Sequence, residues 1–200
     1  MKVSKEQMAL NRERILDAAA EAFRERGFDG IGVADLMDRA GLTHGGFYGH
    51  FASKEELMAA AAQRAAAQID QRWGAMPGSV EPAPAARRAE IAGQYLSSRH
   101  RDARGQGCVV AALGGDAARQ AEPVRRAFGE GIRAAAGRLE AISPGKTAAA
   151  RRARALGDYA TMVGAMVLAR AVDDDALSDE ILAAARLRLG LEAEGVTGAG

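Results

Sequence analysis

The chain has 200 residues, 48% of them hydrophobic and 26% charged, a balance that excludes a disordered chain and suits one domain, or a small domain fused to a larger one. Its net charge of +1 favours no class of partner, and no apolar run reaches the roughly 18 residues of a membrane span. The single cysteine excludes an internal disulfide framework, and the start MKVSKEQMALNRERIL lacks the apolar core of a signal peptide. We therefore expect a cytoplasmic protein with no membrane partner.

Apolar residues recur at helical spacing in four segments of the first part of the chain. Gly27 and Gly41 are predicted to end the first two helices, and Ser53 is predicted to cap the fourth. The third would have about two turns at 3.6 residues a turn. The predicted helices cover 5–26, 33–40, 44–51 and 53–76.

The proline-rich stretch PGSVEPAPAA (77–86) interrupts the helical pattern. A helix ending near residue 100 is predicted after it, followed by a loop over 101–107. Ser178, with two acidic residues behind it, is predicted to cap the last helix. The remaining predicted helices cover 107–115, 121–142, 146–170 and 178–189. Because no alternating strand pattern is evident, the sequence predicts an all-α chain of about nine helices.

Two short helices joined at Gly41 match a helix-turn-helix, the DNA-binding motif whose second helix enters the major groove. Phe47 and Phe51 lie four residues apart, so both are predicted to face the core. Glycines would let the backbone approach phosphates closely, and residues 40–54 contain no acidic residue to repel them. The residues predicted to project outward are Thr43, His44, Tyr48 and His50.

Residues 12–61 resemble the N-terminal DNA-binding domain of the TetR family of transcriptional regulators. The pieces that carry the resemblance are ILDAAAEAF, GF, LMDRAGLT and FYGHFASKEEL, in that order. The resemblance implies an N-terminal three-helix domain with a helix-turn-helix and a C-terminal helical bundle. It also implies a DNA-binding domain over 1–53 and a ligand-binding and dimerisation domain over 54–200.

Specific DNA contacts follow from the same resemblance. Tyr48, His50 and Lys54 match positions that usually contact phosphates, and His44 matches a frequent base-reading position. The implied contact residues are Thr43, His44, Gly45, Gly46, Tyr48, His50, Lys54 and, less strongly, Arg14. Gly32, Gly46 and Gly49 depart from the family pattern, because side chains that contact DNA commonly stand there.

The resemblance further implies a homodimer through the last two helices. Small and apolar residues follow one stripe on each of these helices, which agrees with close helix packing; an ordinary monomer core is the alternative. The predicted dimerisation residues are Leu156, Tyr159, Val163, Val167, Ile181, Ala185 and Leu189.

A pocket for a small-molecule effector is implied among the C-terminal helices. Its candidate lining consists of the scarce aromatic, methionine and cysteine side chains of this region, each of which could equally belong to a plain core. These candidates are Trp73, Met76, Tyr95, Cys108, Phe128, Met162 and Met166.

Cys108 stands near a predicted helix start in GQGCVVAAL, where a helix N-terminus would stabilise a thiolate. The stretch resembles that of TetR-type regulators whose cysteine reacts with electrophiles or oxidants; a buried apolar role is the alternative. An enzyme using Cys108 with His100 as base is disfavoured, since only Asp102 could orient the histidine. His44 and His50 have no Cys, Asp or Glu close to them in sequence, so we expect no metal and no cofactor. The resemblance to the TetR family thus implies a dimeric repressor, not an enzyme, that an effector releases from operator DNA.

Overall fold

The structure is a computed structural model that describes residues 4–74 and 83–191, with every side chain in those ranges except those of residues 70 and 72–74. These ranges contain α-helices and short 3-10 helices but no strand, which confirms the predicted all-α fold. The α-helices are α1 (Lys5–Arg26), α2 (Val33–Arg39), α3 (Lys54–Gly74), α4 (Pro84–Tyr95), α5 (Ser98–Asp102), α6 (Val109–Ala117), α7 (Glu122–Ile142), α8 (Ala148–Ala171) and α9 (Asp175–Arg188). The 3-10 helices are His44–Gly49 and Arg104–Gln106.

The helices form two compact units that do not follow chain order. The first unit contains residues 4–74 and 104–132, and the second contains 83–103 and 133–191. The predicted functional boundary after residue 53 stays a prediction.

The first unit is built around an aromatic and aliphatic core. Phe28 joins two parts of it, because its ring lies edge-on to Phe23 at 5.2 Å and to Phe128 at 6.3 Å. The ends of α1 follow the sequence signals: the Ser4 hydroxyl accepts a hydrogen bond from the Gln7 amide, and Gly27 ends the helix with φ 78°. These contacts fix the long helix on which the rest of the unit packs.

The second unit packs α8 against α9 and fastens α4 to both with a half-buried arginine. Arg88 Nε donates to the Asp158 carboxylate at 2.7 Å, and Nη1 donates to the Leu189 carbonyl at the end of α9 at 3.2 Å. Arg186 Nη1 in turn donates to the Leu96 carbonyl at the end of α4 at 3.0 Å. None of the described helices combines the length and the low polarity that a bilayer crossing requires.

Three local predictions were wrong: two concern the segment 96–107, and one concerns the start of α9. The helix predicted to reach residue 100 breaks after Tyr95, where Leu96 leaves helical geometry, and α5 begins at Ser98 with the Ser97 hydroxyl as its cap. The loop predicted over 101–107 instead contains the end of α5 and the 3-10 helix Arg104–Gln106.

Ser178 does not cap the last helix. The Asp174 carboxylate accepts from the amides of Ala176 and Leu177, so α9 starts at Asp175. Ser178 is buried inside the helix, where its hydroxyl donates to the Ala169 carbonyl of α8 at 2.7 Å. Asp174, four residues earlier, is therefore the N-cap that sets the start of α9, and Ser178 instead connects α9 to α8 through a hydrogen bond.

Candidate nucleic-acid interface

Two phenylalanines anchor the recognition segment, which we define as residues 43–51. Phe47 and Phe51 are fully buried and stacked, with ring centroids 5.9 Å apart. Tyr48 points the other way: it is 73% exposed, and its ring lies edge-on to Phe47 at 5.2 Å. The predicted inward face is thus observed, and Thr43, His44 and Tyr48 are exposed as predicted, whereas His50 is half-buried. Residues 44–49 form a 3-10 helix.

Gly41 makes the turn between α2 and the recognition segment. Its φ of +65° lies in the left-handed region that side chains disfavour. A Cβ at this position would also lie 2.6 Å from Arg14 Nη2. Glycine is therefore favoured at this position for two reasons: it adopts the positive φ, and its lack of a side chain leaves room for the Arg14 guanidinium of α1 over the turn.

Lys54 and Ser53 fix the start of α3 beside the recognition segment. Lys54 Nζ donates to the Ile31 carbonyl just before α2 at 2.9 Å, and the lysine is half-buried. The Ser53 hydroxyl accepts from the Glu56 amide at 3.2 Å, as predicted for a cap, while the Glu56 carboxylate accepts from the Ala52 amide at 2.7 Å. The start of α3 is therefore held to the start of α2.

Unlike Gly41, the three glycines within the recognition segment occupy positions where the fold has room for a side chain. A Cβ on Gly45 would meet nothing within 4 Å, and one on Gly49 would come no closer than 3.9 Å, to Met8 Cε. On Gly46 it would lie 3.7 Å from Met37 Cε, an ordinary contact. The outward surface is therefore mostly backbone, and the side chains of His44 and Tyr48 stand out from it.

The predicted contact residues come together on this part of the first unit. Thr43, His44, Gly45, Tyr48 and Arg14 are exposed. Gly46, His50 and Lys54 are half-buried.

Sequence reasoning did not single out Arg12. Its guanidinium lies 4.7 Å from the centroid of the Phe51 ring, a cation–π contact that places a positive charge at the end of the recognition segment. No local signal in the sequence could have shown this pairing, because it depends on how α1 crosses the segment.

The predicted dimerisation residues divide into two groups in the second unit. Tyr159, Ala185 and Leu189 are buried within the protomer itself. Leu156 and Val167 are 41% and 44% exposed, and Val163 and Ile181 are half-buried. Of the seven strongly exposed large apolar side chains in the described ranges, five lie on α8 or α9.

The predicted pocket residues fall in both units. Cys108 and Phe128 are buried in the first unit. Tyr95, Met162 and Met166 are buried in the second. Met76 and the side chain of Trp73 lie outside the described residues.

Cys108 is 5% exposed and occupies the N-cap of α6. The Nδ1 atom of His100 lies 2.7 Å from the Tyr95 carbonyl. Among the described residues, no three His, Cys, Asp or Glu side chains converge as a metal site would require.

Residues 15–61 match the model of a family described as bacterial regulatory proteins, tetR family. The HTH-type transcriptional repressor AcnR of Corynebacterium diphtheriae is 34% identical over 67 residues, which are 34% of this chain and 35% of the relative. The HTH-type transcriptional repressor KstR2 of Mycobacterium tuberculosis is 44% identical over 52 residues, 26% of each chain. The matched stretch thus spans about a third or less of these relatives.

Similarity over the whole length appears in solved structures. The reduced form of NemR from E. coli has a TM-score of 0.75 and 24% identity, covering 94% of this chain and 99% of that one. A TetR-family regulator from Cytophaga hutchinsonii has a TM-score of 0.76 and 20% identity, covering 95% and 97%. At this identity the likeness concerns the fold.

Proposed function

We infer that this chain, which belongs to the TetR family of transcriptional regulators through its N-terminal domain, binds operator DNA and represses transcription. The observation that carries the proposal is the recognition segment: Phe47 and Phe51 buried beneath it, and His44 and Tyr48 projecting from a bare backbone. Two relatives that match this part of the chain are named repressors. The activity that we propose is therefore DNA binding and not catalysis.

The recognition segment would enter the major groove, with phosphate contacts on either side of it. His44 is the candidate for base contacts, since its imidazole is exposed at the start of the segment. The Tyr48 hydroxyl, Arg14 and Lys54 are candidates for phosphates, which position the protein without reading sequence. Lys54 would have to share its ammonium between the Ile31 carbonyl and DNA, and its three donors allow this.

The exposed and half-buried apolar side chains of α8 and α9 support operator binding by a homodimer. Apolar patches of this kind are uncommon on monomers and mark interaction surfaces. Leu156 and Val167 are exposed, and Val163 and Ile181 are half-buried, so these four side chains are accessible and support the proposal. A dimer also suits a two-fold operator, whose half-sites lie about 34 Å apart, one turn of DNA.

Release from DNA by a small-molecule effector is the regulatory part of the proposal. A ligand releases DNA if it binds more tightly to the conformation in which the spacing of the two recognition segments does not fit the operator. The population then shifts away from the DNA-bound conformation. A thiol-based signal at Cys108 is the second candidate. The observation in its favour is that Cys108 is the N-cap residue of the nine-residue α6.

Gel shifts and footprinting with DNA flanking the protein's own gene test the central proposal. We expect a discrete shift that survives excess nonspecific DNA, with a footprint that has two-fold symmetry. Affinity should fall steeply with salt, because phosphate contacts release counterions. Absence of a sequence-specific shift at low salt, both with these duplexes and with duplexes selected from a random library, would contradict it.

A further inference from the structure

A buried arginine in α1 joins three segments of the first unit. Arg24 is only 5% exposed, yet its guanidinium reaches two partners. Nη1 donates to the Gly107 carbonyl at 3.3 Å, and Nη2 donates to Gln68 Oε1 on α3 at 3.0 Å. Gly107 immediately precedes Cys108, the N-cap of α6. The planar fork of one arginine thus fastens the entry of α6 to both α1 and α3.

The polar contacts continue along the groove between α1 and α3. Gln68 Nε2 donates to Asp17 Oδ1 at 3.0 Å. The same carboxylate accepts two hydrogen bonds from Arg64, at 2.7 and 2.9 Å, and Arg64 Nη1 reaches Glu13 at 2.7 Å. Glu13 lies between Arg12 and Arg14 in the chain. One line of side chains therefore runs from the entry of α6 to the part of α1 that flanks the recognition segment.

A second contact links the same loop to α2. Gly105 is buried against α1: a Cβ there would lie 2.7 Å from Glu25 Oε1 and 2.9 Å from Glu21 Cγ. Glu25 in turn accepts from Arg39 at the end of α2 at 2.9 Å. The backbone of the loop over 104–107 therefore lies close to Glu25, the residue that bonds Arg39 of α2 just before the turn at Gly41.

We propose that the segment 104–108 is a coupling element for the DNA interface and that Arg24 is its positioning residue. If Gly107 moves, Arg24 loses a partner in a buried setting where an unmet hydrogen bond is costly, so Gln68 and the α1–α3 contacts must rearrange with it. The recognition segment contacts α1 through Arg12 and Phe51, and α3 begins three residues after it, at Lys54. The proposal rests on the proposed DNA-binding function and names the residues through which that function would be regulated.

Coupling of this kind is reciprocal, so DNA bound at one end must change the other end. The test is amide hydrogen exchange of the full chain, free and saturated with a duplex selected from a random library. We expect DNA to slow exchange in residues 43–54 and also in 104–112. In Gln68→Met, which keeps the length of the side chain but removes its amide, protection should persist in 43–54 and fall at least about fivefold in 104–112, the low end of ordinary coupling.

Two further variants distinguish a loss of coupling from a general loss of stability. Gln63→Met makes the same chemical change on the same helix, but Gln63 bonds Glu130 at 3.2 Å, away from this line of contacts. It should behave as the wild type. Arg24→Lys keeps the charge but loses the planar guanidinium that donates to two acceptors at once, so it should repeat the effect of Gln68→Met. If Gln68→Met does not fold, the same measurement on Arg24→Lys replaces it.

The outcomes are distinct. Protection in 43–54 without protection in 104–112 of the wild type overturns the proposal. Undiminished protection of 104–112 in Gln68→Met and Arg24→Lys overturns it too, because DNA would then protect this segment without the contact between Arg24 and Gln68. No protection anywhere, with no bound duplex, overturns the proposed DNA-binding function itself and this proposal with it.

Discussion

His44 and Tyr48 carry the side-chain chemistry of the recognition segment, because the glycines at positions 45, 46 and 49 contribute only backbone. The fold would accept a side chain at each of these glycines without a close contact. If the segment reads DNA as proposed, these glycines leave base contacts to few side chains, and we expect DNA shape to supply the remaining specificity.

His44→Ala should change the sequence preference of the protein. A base-contacting side chain is worth about 1–3 kcal/mol of discrimination at its position. Selection from a random library should then return a relaxed base at one position of each half-site.

Tyr48→Phe is the matched variant for this comparison. It keeps the ring against Phe47 and removes a hydroxyl proposed to contact phosphate, so affinity should fall for all duplexes alike. An unchanged preference in His44→Ala would show that specificity resides elsewhere in the interface.

Glu55 at the start of α3 should make stability depend on pH. A hydrogen bond from its own backbone amide, and then one from the Ser53 hydroxyl, lower the pKa of Glu55 below its ordinary value of 4.5. Because the folded pKa is the lower one, the carboxylate contributes stability above the unfolded value, and this contribution disappears as pH falls through the folded pKa. Glu55→Gln should therefore unfold at lower urea than the wild type at pH 7, and the difference should vanish in acid.

Glu180→Gln on α9 removes one exposed carboxylate elsewhere and controls for net charge. A Glu55→Gln deficit that persists unchanged in acid would contradict the assignment to the carboxylate.

At the residue scale, the predictions of burial and exposure were correct where the spacing of residues on one helical face determines which side chains are buried. Phe47 and Phe51 are four apart, so one face had to be buried, and Tyr48 then pointed outward. Arg12 and Arg24 could not be assigned in this way. Their partners, Phe51 and Gly107, lie far away in sequence, and only the packed fold brings them together.

At the scale of elements, local signals located most helices but not all their ends. Ser178 followed by two acids is a good cap signal, yet Asp174 offers an equivalent one earlier and lengthens the helix. The choice depends on tertiary partners: within α9, the Ser178 hydroxyl reaches α8 and accepts from Arg101 Nη1 at 3.0 Å. Such a buried hydrogen bond is invisible to a reading of local propensity.

Ser178→Ala should destabilise the protein by about 1–3 kcal/mol, because it leaves the Ala169 carbonyl of α8 without its donor in a buried setting. Denaturant unfolding measures the change. Thr161→Ala is the matched variant: its hydroxyl donates to the Gly157 carbonyl within α8 at 2.9 Å, in an exposed setting. Its loss should cost about 0.5 kcal/mol or less, and equal losses in the two variants would contradict the linking role of Ser178.

At the scale of the whole molecule, the proposal requires two copies. A single recognition segment of nine residues offers few base contacts, and the affinity of a regulator for its operator comes from two half-sites bound at once. The exposed apolar side chains on α8 and α9 are the surface that we propose for the second copy. This surface was predictable in part, since the helical spacing showed the stripe but could not show that Tyr159, Ala185 and Leu189 are already buried in the protomer.

Val167→Glu on α8 should turn the dimer into a monomer, because pairing would bury a charge with no partner in an apolar interface. Ile181→Glu on α9 should do the same. Analytical ultracentrifugation at micromolar concentration measures the state, and operator affinity should fall sharply in both variants as the second half-site is lost. Leu10→Glu alters an exposed leucine of α1, outside α8 and α9, so it should remain dimeric. If Val167→Glu and Ile181→Glu also sediment as dimers, the two copies must associate through another surface, and the spacing of the recognition segments would then be set there.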